Sequence, residues 1–120
     1  MNNFILGRAY IHLDGELIPT EKDAKLNLGG ISREAIVGND VLGFKEEYNA
    51  AELECKVPQR SEEDIIERAR SMTNVDITFE GDNGIRYMVS QAFCTNTPEI
   101  SSNGEGTTLI FSGNAAEKTA

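Results

Sequence analysis

Residues 51–80 read strand, helix, strand, and no other stretch constrains the fold as tightly. Ala51–Val57 alternates without a break, with Ala51, Leu53, Cys55 and Val57 on one face and Glu52, Glu54 and Lys56 on the other. Asn74–Glu80 repeats the pattern, setting Val75, Ile77 and Phe79 against Asp76, Thr78 and Glu80. Between them, Ser61–Met72 is the chain's one convincing helix. Ser61 stands at the N-cap, Asp64 at the reciprocal capping position, and Arg68 and Arg70 in the last turn, where they suit the helix dipole. Ile65, Ala69 and Met72 form one stripe, with Ile66 beside it. One amphipathic helix can therefore cover the apolar face of a sheet and leave an acidic face in water.

The chain has 120 residues, enough for one domain with a real but shallow core. Apolar residues make up 39% and charged residues 26%, which excludes wholesale disorder. The formal charge of -9 opposes a tight grip on nucleic acid, which needs Lys and Arg against phosphates, and opposes docking on anionic lipid. It permits contact with DNA that is held loosely. No run approaches the ~18–20 apolar residues that span a bilayer, so no membrane insertion is expected. The start, Met1-Asn-Asn-Phe-Ile-Leu-Gly-Arg8, has no basic region before its apolar run and does not read as a signal peptide. Cys55 and Cys94 read as buried thiols in a reducing compartment, too far apart in sequence for a CxxC motif.

Gly7–Leu13 reads as a first strand, Asp14-Gly15 as a hairpin turn and Glu16–Ile18 as its return, ended by Pro19. Ala24–Leu28 alternates again until Gly29-Gly30. From Ile31 to Asn49 no period wins, although Val41, Leu42, Phe44 and Tyr48 are apolar. The segment reads as a long loop, either folded back over its own core or serving as an arm that buries its apolar groups on a neighbouring subunit. Asp82-Asn83-Gly84 is a second hairpin turn, followed by a strand from Ile85 through Val89 towards Phe93. Thr95–Gly106 is polar and turn-rich, Thr107–Ser112 is the last expected strand, and residues 114–120 form a flexible tail. The expected fold is mainly β with one α-helix, an α+β domain of about six or seven antiparallel strands in a small barrel or sandwich.

Catalytic patterns are missing from the sequence. His12 is the one histidine and has no partners for general-base work. No HExxH, paired CxxC, EF-hand, GxSxG or phosphate-loop spacing occurs, so neither a metal nor another cofactor is implied. The carboxylates at Glu46-Glu47, Glu52, Glu54 and Glu62-Glu63-Asp64 read as a solvated face and a helix N-terminus. An enzyme is disfavoured.

Several stretches together carry a family resemblance. They are Ser32-Arg-Glu-Ala-Ile-Val-Gly38, Gly43-Phe-Lys-Glu46, the Ala51–Val57 strand, Met72-Thr-Asn-Val-Asp-Ile-Thr78, Asn83-Gly84 and Gly106-Thr-Thr-Leu-Ile-Phe-Ser-Gly113. In this order and spacing the chain resembles the tail tube proteins of Mu-like, contractile-tailed bacteriophages. Phe44 stands where that pattern often has Tyr. The resemblance implies a homohexameric ring in which strands from six subunits form one barrel, and rings that stack into the tail's inner tube. It implies a sheath, baseplate and tail-terminator proteins as partners, passage of DNA without specific binding, a place in the virion tail and assembly in the host bacterial cytoplasm. Glu52, Glu54 and Asp76 become candidates for the channel wall, and Val41, Leu42, Phe44 and Tyr48 for inter-subunit contact. A different ring component of a tail or secretion particle is the alternative, and a monomeric enzyme or ligand-binding barrel the more distant one.

Overall fold

The computed structural model describes residues 4–21, 23–58, 65–100 and 102–119. They form ten strands and one short helix. The order is β1 (Ala9–Leu13), β2 (Glu16–Ile18), β3 (Lys25–Asn27), β4 (Gly30–Val37), β5 (Val41–Asn49), β6 (Ala51–Val57), α1 (Ile65–Ser71), β7 (Val75–Gly81), β8 (Arg86–Cys94), β9 (Thr107–Gly113) and β10 (Glu117–Lys118). Every pairing is antiparallel. The main sheet runs β2-β1-β7-β8-β9-β6-β3, with β10 added beside β8. This order is a path with two ends, so among the described residues the sheet does not close into a barrel within one copy.

Both expected hairpins are present. Asp14 and Gly15 take φ of 54° and 84°, the pair of positive angles that a two-residue hairpin turn matching strand twist requires. Strand β8 joins the two halves of the sheet. It lies along β7 from Arg86 to Ala92, while its other side meets β10 at Tyr87 and Met88 and β9 at Phe93 and Cys94. Gln91 has φ of 54° opposite a break in the β7 register. This irregularity shifts the alternation by one residue. Val89 and Ala92, three apart, are both buried, and Phe93 turns outward.

The buried faces of both halves enclose one core. It holds Ile11 and Leu13 of β1, Ile77 of β7, Leu109 and Phe111 of β9, and Leu53, Cys55 and Val57 of β6. Helix α1 packs Ile65 and Ala69 onto it, and Met72 sits at its margin. The capping pair Ser61 and Asp64, with Glu62 and Glu63, lies outside the described residues.

The expected loop at 31–49 is instead a regular hairpin. Strands β4 and β5 pair from Gly30↔Asn49 to Ile36↔Gly43, then step irregularly to Val37↔Val41. They form a separate two-stranded sheet in which every residue except Gly30 and Gly43 is exposed. Both faces are wet, and the alternation is broken by Arg33 and Glu46 on one face and by Ile36 and Val41 on the other, so cross-strand partners define the strands instead. The arm explains the molecule's shape. Its radius of gyration is 17.1 Å and its long axis 61 Å, whereas a compact domain of this length has a radius of about 14 Å.

Within the segment expected as a flexible tail, two residues pair with the sheet. Glu117 and Lys118 lie against Met88 and Tyr87. Upstream, the Ala116 N–H donates to Leu28 O at 2.8 Å, and the Ala115 N–H donates to Tyr48 Oη at 2.9 Å. The tail thereby braces the base of the hairpin.

Candidate functional site

Two surfaces carry the candidate residues. The first is the outer face of β6. Glu52 is exposed between Asn27 of β3 and Ser112 of β9, and Glu54 is half-buried between Lys25 and Ile110. The strand's alternation alone aims both away from the core. The face is not purely acidic, since Lys25 and Lys56 share it. Asp76 is exposed as well but sits on β7, with β8 and β9 between it and β6, at the register break. The structure therefore groups Glu52 with Glu54 and places Asp76 elsewhere. Sequence alternation missed Phe93, 43% exposed and aligned through Ser112 with Glu52, because the irregularity at Gln91 inverts its face.

The second surface is the hairpin. Leu42, Phe44 and Tyr48 share one face of β5, and their cross-strand partners put Ala35 and Ile31 beside them. Val41 lies on the other face, at the tip. These four candidates are 58–73% exposed. The apolar face is interrupted by Arg33, whose guanidinium lies 5.7 Å from the Phe44 ring centroid and 3.8 Å from Glu46. Lys45 and Glu34 pair across the opposite face at 3.3 Å. At the base, Asn49 Nδ2 donates to Ser32 Oγ at 2.8 Å.

Elsewhere, polar chemistry serves structure. His12 Nε2 and Arg86 both face the Glu80 carboxylate, at 3.3 and 3.2 Å. Arg68 of α1 holds Glu16 of β2 through both carboxylate oxygens, which lowers the Glu16 pKa. Asp82 is also lowered, chiefly by the Gly7 N–H that donates to it at 3.1 Å, with Arg8 adding its charge. Both cysteines are free; Cys55 is buried as expected, but Cys94 only in part. Burial pushes the Cys55 thiol up to about 12, helped by Cys94 and Glu54. A thiol so raised is no nucleophile at neutral pH. Among the described residues no three His, Cys, Asp or Glu side chains gather to hold a metal ion, and no helix is long and apolar enough to cross a membrane. A groove of about 630 Å³ opens where the segment before β1 passes β2 and the residues after it.

Proteins similar to this chain in sequence or in fold come from phage tails and contractile injection systems. The family described as phage tail tube protein matches residues 2–118. The Mu-like prophage FluMu tail tube protein of Haemophilus influenzae is 35% identical over 99 residues, 82% of this chain and 83% of that protein. The tail tube protein of Escherichia phage Mu is 26% identical over 117 residues, 95% of this chain and 94% of that protein. Among solved structures, the sheath/tube terminator of an extracellular contractile injection system superposes with a TM-score of 0.68. The match covers 100% of this chain and 99% of that one at 16% identity. The sheath-tube complex of the same kind of system gives 0.64, covering 94% and 88% at 17% identity. The fold is thus one used in contractile injection particles.

Proposed function

The chain belongs to the phage tail tube family, and from that membership we propose that six copies close into a ring and that rings stack into the inner tube of a contractile tail. The observation that carries this reading is the hairpin. A lone two-stranded hairpin is marginal in water, yet β4–β5 holds Ile31, Val37, Val41, Leu42, Phe44 and Tyr48 in solvent. Burying them on a neighbour stabilises both the arm and the contact. The open ends of the sheet at β2 and β3 support the same reading. Unpaired edges invite strand addition, and a closed ring removes them.

In this reading Glu52 and Glu54 face the bore, with Asp76 a third candidate on a separate strand. The DNA passes through without specific binding, because Glu52 and Glu54 offset Lys25 and Lys56 on this face and leave no excess of cations to hold the phosphates. The sheath surrounds the tube, baseplate and terminator proteins close its ends, and assembly takes place in the host cytoplasm. The test is electron microscopy of the purified chain at rising concentration. Rings and then hollow rods are expected. A protein that stays monomeric at every concentration overturns the proposal.

A further inference from the structure

One hollow on the surface is bordered by exposed apolar side chains from the segment before β1, from β1 and from β2. The groove of about 630 Å³ is walled by Leu6, Tyr10, Leu17, Ile18, Pro19 and Phe79. Leu6, Tyr10 and Leu17 are 40%, 42% and 55% exposed, so the fold holds large apolar groups at the surface around this hollow. Its size is that of sites which take a compact ligand of several side chains' bulk. Its polar lining residues are Arg8, Thr20, Glu21 and Asp23.

We propose that this groove receives the β4–β5 tip of the next copy, with Val41 and Leu42 entering between Leu6, Tyr10 and Leu17. The inference rests on the ring reading above and names the surface that the arm finds. Topology supports it. The groove is walled by β1, β2 and the chain that follows as far as Ala24, whereas the tip stands at the far end of strands of eight and nine residues that leave after β3. A contact between two different patches of identical copies is head-to-tail, and head-to-tail contacts generate rings or filaments, not closed dimers. Reach supports it too: strands of eight and nine residues carry the tip roughly 25 Å from the hairpin's base. The matching chemistry is apolar, since Val37, Val41 and Leu42 are 65%, 70% and 73% exposed. Charge at the rim is mixed and does not select the tip: the Arg8 side chain, 76% exposed and 3.9 Å from Asp82, is opposite in sign to Asp40 of the hairpin turn, while Glu21 and Asp23 line the same groove.

The experiment uses the full chain in three forms: wild type, Leu42→Glu at the tip and Leu17→Lys in the groove. Both positions are exposed, so circular dichroism melts should match wild type; if Leu17→Lys fails to fold, Tyr10→Lys replaces it on the same wall. Each variant alone should need at least about tenfold more protein to assemble. An equimolar mixture should assemble again, because a wild-type tip meets a wild-type groove at one junction and opposite charges meet at the other. Failure of the wild type to assemble sinks the ring reading, and this inference with it. A Leu17→Lys protein that assembles normally while Leu42→Glu does not leaves the arm standing and removes the groove. Two blocked variants whose mixture stays blocked show that tip and groove do not meet.

Discussion

Gly29 decides whether the hairpin can leave the body at all. Its φ is +69°, and a Cβ built there would stand 2.6 Å from Ala51 N and 2.7 Å from Asn49 O. Gly29→Ala therefore meets both backbone strain and backbone atoms that cannot step aside. We expect a loss of roughly 1–3 kcal/mol, seen as a lower Tm in a thermal melt; an unchanged melt would show that this exit relaxes freely. The two thiols separate just as sharply. Cys55, raised to about 12 by burial, carries almost no thiolate at pH 8. Brief alkylation at that pH followed by mass spectrometry should mark Cys94 and leave Cys55 untouched. Acid sensitivity belongs to this scale too. Glu16 and Asp82 are lowered in the fold from their ordinary values of 4.5 and 3.8. Groups shifted this way stabilise fully above those values and lose their contribution as the pH falls towards the folded ones. Glu16 is exposed and Asp82, though only 15% exposed, lies at the surface, so the effect is small and partly screened by salt. Asp82→Asn should flatten the acid limb of the stability curve at low salt, and a limb unchanged in slope would remove Asp82 from its causes.

At the scale of elements, legibility followed burial. Strand β6 has the bounds that its alternation predicts, because one face meets the core and the other water. Glu16–Ile18 and the Asp14-Gly15 turn were equally plain. The hairpin at 30–49 was not. Its strands are specified by partners such as Arg33↔Glu46 and Glu34↔Lys45, which cannot be read along one strand. The outward turn of Phe93 follows from one backbone angle at Gln91, and the short β10 owes its place to β8 and to Arg86 O, which accepts from the Thr119 N–H. The candidate residues divide the same way: alternation placed Glu52 and Glu54 on the outer face of β6, but only the strand order separates Asp76 from them. The paired tail yields a prediction of its own. Tyr48→Phe removes the acceptor for the Ala115 N–H while leaving β4–β5 pairing intact. Hydrogen exchange should quicken at Ala115 and Ala116, and assembly should need more protein. Exchange unchanged at both amides would show that the tail does not brace the arm.

At the scale of the whole molecule, charge connects one copy to its assembly. In the proposed ring, six copies of -9 give -54. Charge on the outside of a tube is screened within about 8 Å at physiological salt, whereas charge facing a narrow bore acts on everything inside it. The position of a carboxylate therefore matters more than the total. Replacing Glu52 and Glu54 together by Lys changes each copy by +4, so a ring falls from -54 to -30, and, if the outer face of β6 lines the bore, puts twelve new cations against the DNA. Those cations would displace counterions and hold the phosphates. Glu52 is exposed and Glu54 only half-buried, so tubes should still form by electron microscopy. Triggered DNA release from particles carrying the double variant should slow at low salt and recover as salt rises. Asp76→Lys, made separately, asks whether β7 shares the bore: slowing places its outer face there, and normal release puts it elsewhere on the tube. If the Glu52 and Glu54 double variant ejects at the wild-type rate at low salt, the β6 face points away from the DNA.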